Sequence, residues 1–140
     1  MLNQFFSSVQ YIATRKALDA AALRQKTISN NIANVDTPHY KRSEVNFEDA
    51  FKQALEKNPR RLVGFKTDHQ HFDINSHTDI NSVQPTIWRQ NDTFSRADDN
   101  NVDIDVEMAE LAKNQLMFNA LIEGLNRKMS EYKKVIKGQG

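Results

Sequence analysis

Along the last third of the chain, apolar residues recur at alternating spacings of four and three. Ile104, Met108, Leu111, Gln115, Phe118, Ile122, Leu125, Met129, Tyr132 and Ile136 form a heptad seam of more than four repeats with one polar member. The pattern predicts a long C-terminal helix within 102–140. Asp103, Asp105 and Glu107 fall in its first turn and Lys133, Lys134 and Lys137 in its last, so each end carries the charge that complements the helix dipole. Gln115 either fixes the register of the seam or sits at its wet edge. Gly124 costs the helix about 1 kcal/mol relative to alanine and permits close approach of a neighbour.

The N-terminal stretch is looser but has the same helical period. Leu2, Phe5, Val9, Ile12 with Ala13, Ala17, Ala20 with Ala21, Ile28 and Ile32 make an apolar stripe, with Lys16, Asp19, Arg24 and Lys26 beside it. The small side chains of Ala17 to Leu23 suit tight helix–helix contact. This helix cannot pass through Thr37-Pro38, because proline lacks an N–H and pushes the preceding residue out of the helical region. Asn34 and Asp36 supply the turn chemistry on the way out.

A third, short helix is expected from Phe47 to Lys57, with Asn46 as N-cap and Val45 and Ala50 as a hydrophobic staple. Phe47, Ala50, Phe51, Ala54 and Leu55 form its apolar face, and Asn58-Pro59 ends it. From Arg60 to Asn101 periodicity fades. Leu62 to Lys66 and Thr86 to Arg89 are candidate short strands in a polar segment expected to be partly mobile or to order against a partner.

The expected fold is therefore mainly α, with long terminal helices pairing as a coiled-coil-like bundle. Three regions follow: a helical arm over 1–58, an irregular middle over 59–101 and the heptad helix over 102–140. A two-helix hairpin leaves much of each stripe exposed, so the seams are expected to be completed by other chains.

Composition narrows the function. The 140 residues are 39% hydrophobic and carry a formal charge of +1, which offers nucleic acid no basic excess. There is no cysteine, hence no disulfide, Cys-based metal site or thiol nucleophile. No apolar run is long enough to span a membrane. Met1 to Arg15 has neither the basic start nor the continuous apolar core of a secretory signal.

Candidate chemistry is sparse. His69, His71 and His77, interleaved with Asp68, Asp73 and Asp79, match no helical metal-ligand spacing. Asp99, Asn101, Asp103 and Glu110 coincide with calcium-loop positions, but Ile104 stands where that loop needs glycine. The glycines are scattered, no serine has the context of a nucleophile, and Trp88 is expected to pack in a local cluster. No catalytic residue, cofactor, metal or small-molecule substrate is expected.

The stretch Ser29 to Lys41 holds Asn30, Asn31, Ile32, Ala33, Asn34, Thr37, Pro38 and Tyr40. It resembles the segment Asn-Ile-Ala-Asn-x-x-Thr-Pro-x-Tyr carried at this place by flagellar axial proteins. A second block, Asn101 to Phe118 and on to Ile136, is similar to the basal-body rod family. Val102-Asp103, Glu107-Met108 and Asn114-Gln115 look like its short proximal-rod member.

The resemblance implies a structural subunit of the flagellar basal body, in the cell envelope and needed for motility. Such subunits polymerise through their terminal helices, contacting one another, other rod subunits, the membrane ring and the export gate. They leave through the flagellar type III apparatus without a cleaved signal. An export element of the form Phe-x-x-x-hydrophobic is implied at Phe47 and Phe51, although Phe5 to Val9 also fits it. His39 and Asn100 stand where the family usually and often has glycine, which puts the turn geometry at His39 in question. A helical adaptor or chaperone using the same seams, or a metal enzyme built on the histidine-rich middle, are the competing classes.

Overall fold

The computed structural model describes residues 8–56, 79–91 and 97–138. The elements are α1 (Val9–Ala33), β1 (Ser43–Asn46), α2 (Glu48–Leu55), β2 (Thr86–Arg89) and α3 (Ile104–Ile136). Helices α1 and α3 pack against each other, and a two-stranded antiparallel sheet with α2 closes over one flank of α1.

Helix α1 starts at Ser8, whose hydroxyl accepts the Tyr11 N–H at 3.3 Å. It buries Ala17, Ala20, Ala21 and Ile28, the middle of the expected stripe. Leu2 and Phe5 lie outside the described residues, and Val9 is exposed. The helix stops at Ala33, ahead of Thr37-Pro38. Asn34 caps it, its N–H reaching the Asn30 and Asn31 carbonyls and its side-chain amide donating to Asn30 O at 2.8 Å.

The expected strand at Thr86–Arg89 forms, and its partner is Ser43–Asn46, in the register Ser43↔Arg89 to Asn46↔Thr86. Leu62 to Lys66 lies outside the described residues. The short helix differs from expectation. It runs Glu48–Leu55, with Phe47 in the N-cap position, while Asn46 ends the strand. No staple forms: Ala50 is exposed, and Val45 turns inward with Ala20, Phe47 and Val83. Leu23, Phe51 and Ala54 pack on this cluster, with the Phe47 and Phe51 rings 4.7 Å apart. Strand pairing wins because it buries Val45, which a helix beginning at Asn46 would have held as a surface staple. Lys16 ties the preceding loop to α1 by donating to Asn81 O at 2.9 Å and Val83 O at 2.8 Å. Trp88 stays about half exposed on β2 instead of joining a cluster.

Helix α3 runs antiparallel to α1, with Asn114 beside Ala21 and Glu107 beside Asn31. Asp103 is its N-cap rather than a first-turn residue, accepting the Asp105 and Val106 N–H groups at 2.9 and 3.4 Å. The heptad seam splits. Leu111, Phe118, Leu125, Met129 and Tyr132 are half-buried, while Ile104, Met108, Gln115, Ile122 and Ile136 are exposed. The inward stripe includes Glu107, Asn114 and Leu121, because the flat alanine face of α1 meets only one flank of the apolar band. A Cβ at Gly124 would meet nothing within 4 Å, so no contact described within the chain requires that glycine. Among the described residues, no helix is long and apolar enough to cross a membrane.

Candidate assembly site

The motif at the end of α1 is a hydrogen-bonded junction between three segments. Asn31 is its centre and is buried. Its Oδ1 accepts the Ser43 N–H at 3.0 Å and the Tyr40 hydroxyl at 3.3 Å. Its Nδ2 donates to Ser43 O at 2.8 Å and to a Glu107 carboxylate oxygen at 3.1 Å. The amide thus pairs with the backbone of β1 as a neighbouring strand would, and uses both of its donors. A buried amide that is fully bonded fixes one geometry, since any shift strands a polar atom.

Glu107 is the second centre. It is fully buried, and its other carboxylate oxygen accepts from Arg42 Nε, while Arg42 also holds Glu44. Burial pushes the Arg42 guanidinium down, but the hydrogen bond and charge of Glu107, with Glu44 beside it, outweigh that and hold its pKa above the ordinary value. The place of Glu107 in the first turn of α3 predicts an acid that complements the helix dipole. The fold makes it the anchor of α3 on the motif.

Asn100 is the third centre and has no exposure. Its Nδ2 lies 2.9 Å from each of the Asn34, Val35 and Thr37 carbonyls, and its Oδ1 accepts the Val102 N–H at 2.8 Å. These carbonyls belong to the exit from α1 that Pro38 forces, where no helix can satisfy them. Next door, Asn101 accepts the Arg42 N–H at 2.6 Å and donates to Gln90 O at 2.9 Å. The calcium-loop reading has no room here, since Asn101 holds the backbone, Asp103 caps α3 and Lys41 pairs with Asp99 at 3.0 Å.

His39 answers the question its position raised. Its φ is +62°, the left-handed conformation that glycine adopts without strain, and Asp99 opposite has φ +63°. The His39 N–H donates to Asp98 O at 2.9 Å, which holds the turn in place. A left-handed turn without glycine costs about 1–2 kcal/mol. His39→Gly is therefore expected to stabilise the folded chain by up to about 1 kcal/mol, after allowing for the looser unfolded chain. Comparison of thermal or urea melts checks this, and a lower midpoint would contradict it.

The remaining motif residues face outward or half outward: Asn30, Ala33, Thr37 and Pro38 are exposed, and Ile32 and Asn34 are half-buried. Further along, α1 and α3 are registered by Asn114, which donates at 3.0 Å to both Ala21 O and Gln25 Oε1. Its Oδ1 has no partner among the described residues. Gln115, by contrast, is at the wet edge and bonds Asn119 at 3.1 Å.

The junction fixes where the outer face of α3 points. Along α3, Ile104, Met108 and Ile122 share one outward side within about 40°, while Leu116 (73% exposed), Val135 (64%) and Ile136 (59%) are exposed at other azimuths, all without cover among the described residues. Phe47 and Phe51 are elsewhere, in the packed cluster under α2. Of the histidine-rich middle, His69, His71, His77, Asp68 and Asp73 lie outside the described residues, and Asp79 bonds Asn81 at 3.1 Å.

A family model described as "Flagella basal body rod protein" matches residues 13–41, the span from the second turn of α1 through the motif turn. The chain is 40% identical over 137 residues to the flagellar basal body rod protein FlgB of Bacillus subtilis, covering 98% of both chains. It is 37% identical to FlgB of Borreliella burgdorferi, over 86% of this chain and 88% of that one. With FlgB of Aeromonas hydrophila it shares 32% identity, over 88% and 89% of the two chains.

Proposed function

Because the chain belongs to the FlgB family of flagellar basal body rod proteins, and so is a structural subunit of the flagellar basal body, we propose that the outer face of α3 carries its assembly contacts. The observation behind this reading is the apolar face itself. Met108 is 51% exposed and Leu116, Val135 and Ile136 more so, on a helix whose inner flank is already paired. Ile104, Met108 and Ile122 lie on one side of the helix, and exposed apolar side chains grouped in this way mark an interaction site. Copies of the chain and other rod subunits cover it, and the seam residues Ile104, Met108, Ile122 and Ile136 are the knobs. Half-buried Leu111, Phe118, Leu125, Met129 and Tyr132 hold the helix in position from behind. Gly124, open on its surface, lets a neighbouring helix come close.

The motif junction sets the angle at which α3 leaves the β1–α2 unit, so every subunit presents its seam alike. At the proximal end of the rod the partners are the membrane ring and the export gate. A strain lacking the chain is expected to form the membrane ring but no rod, and to lose swimming. Normal rods in that strain would overturn the reading. A one-to-one complex with a single partner and no rod defect would favour the helical adaptor instead.

Export is by the flagellar type III route, unfolded and without a cleaved signal. Phe47 and Phe51 suit this, because their stacked rings sit in the folded cluster and are readable only when the chain is unfolded. Phe47→Leu keeps an apolar core residue and costs about 1–2 kcal/mol, yet it removes the ring of the export element. Secretion, measured as the ratio of chain outside the cell to chain inside, is expected to fall severalfold. An unchanged ratio would remove the export role from Phe47.

A further inference from the structure

A groove of about 700 Å³ lies where the first half of α3 faces β1, the start of α2 and the end of α1. Ile28 and Val45 form its apolar base, and Val106 and Met117, both nearly half exposed, stand on its α3 wall. Glu44, Glu48, Glu107 and Glu110 line it against Arg24, Arg42 and Lys113, an excess of one carboxylate. Glu48 and Glu110, on opposite sides and paired once each to Arg24 and Lys113, are still open to solvent.

The far end of the same helix has the opposite character. Between Arg127 and Lys137 it carries Arg127, Lys128, Lys133, Lys134 and Lys137 against Glu131, whereas Asp103 to Lys113 holds Asp103, Asp105, Glu107 and Glu110 against one lysine. Val135 and Ile136 are exposed there, and so is every residue from Lys133 to Gly138. Dipole complementarity accounts for the sign of charge at each end. It does not account for apolar side chains left uncovered beside both.

We infer that this groove receives the basic, apolar C-terminal end of α3 from a second copy of the chain. The inference rests on the assembly reading above and adds to it which surface meets which. Within one molecule the two surfaces cannot meet, because Met117 and Val135 lie about 27 Å apart along one helix axis. The contact is head-to-tail: each copy's groove takes the end of a different copy, so the interaction repeats as a growing array needs, whereas reciprocal exchange between two copies would close a dimer and give no ladder. Lysines of the incoming end lie against Glu48 and Glu110, while Val135 and Ile136 cover Val106 and Met117. The charges steer and orient, and the apolar contact supplies the holding energy.

The absence of cysteine makes a clean test possible. In the full chain, Met117→Cys and Val135→Cys are both exposed substitutions. Under mild oxidation the double variant is expected to give a ladder of disulfide-linked oligomers on a non-reducing gel. Mixing the two single variants should give dimer only, and each single variant alone should stay monomeric. Absence of the ladder, or self-linked dimers of either single variant, would overturn the inference. As a second readout, Glu110→Lys alone and Lys133→Glu with Lys134→Glu alone should each weaken self-association about tenfold at low salt, and mixing the two should restore it. Failure of the mixture to recover would also count against the contact. If no ladder forms but the native chain is found in isolated basal bodies, the groove contact falls and the rod reading stands. If the ladder forms but the chain is missing from basal bodies, the rod reading falls and the contact stands.

Discussion

Glu107→Ala is expected to cost about 3–5 kcal/mol of folding stability, the usual result of removing one partner from a buried ion pair. Glu107 has no solvent exposure and holds Arg42 and Asn31 at once. Without it, Arg42 keeps only Glu44 and its ion pair loses the larger share of its support. Asn31 is left with an unmatched buried donor, although its bonds to Ser43 persist. For a chain of this size the loss corresponds to a fall in melting temperature of roughly 10 °C or more. Glu107→Gln retains the shape and one acceptor, so its cost should be smaller but still measurable. Circular dichroism melts of both variants test the ordering. A Glu107→Ala chain that melts with the wild type would mean that the junction does not hold α3 on the motif.

Ile122→Asp and Leu111→Asp separate assembly from folding, although both positions belong to the same heptad seam. Ile122 is exposed, and Leu111 is half-buried on the flank that meets α1. A carboxylate at 122 meets water in the free chain, so its stability should change by no more than about 1 kcal/mol. In a rod the same carboxylate would be buried against a neighbour without a partner, and incorporation should be lost. Leu111→Asp places the charge inside the chain's own helix pair and should lower the melting temperature as well as incorporation. Immunoblots of isolated basal bodies, set beside melts of the purified variants, distinguish the two. Normal incorporation of a well-folded Ile122→Asp chain would contradict the assigned face.

The long helices and their ends were legible because apolar period, proline and capping chemistry are local signals. Ala17 to Leu23 reads as a contact face by composition alone, and Thr37-Pro38 stops α1 wherever the rest of the chain goes. The register of α3 was not legible. The apolar band is wider than one contact stripe, and its four-and-three spacing runs through Gln115 as the polar member. The buried position is Asn114, one residue earlier, in a stripe with Glu107 and Leu121. The signal for that stripe is the spacing of seven that joins polar Glu107 and Asn114 to Leu121.

The β1 strand escaped because four residues are too few to establish a period of two, and its pairing with Thr86–Arg89 is set by contacts distant in sequence. The roles of Asn31, Glu107 and Asn100 are of the same kind. Asn31 belongs to a recognisable motif, but its bond to Glu107 spans 76 positions, and no local pattern announces it. Asn100 stands where the family resemblance led to glycine, and its side chain instead gathers three carbonyls of the motif turn.

Limited trypsin digestion tests most directly whether other subunits complete the outer face of α3. Arg127, Lys128, Lys133, Lys134 and Lys137 provide cleavage sites along its last turns. In the purified chain these sites should be cut early, while those near the Asn31–Glu107 junction persist. In isolated basal bodies the same sites should resist the protease. Equal resistance in the free and assembled chain would mean that the face is already covered within one molecule, and the account would be wrong.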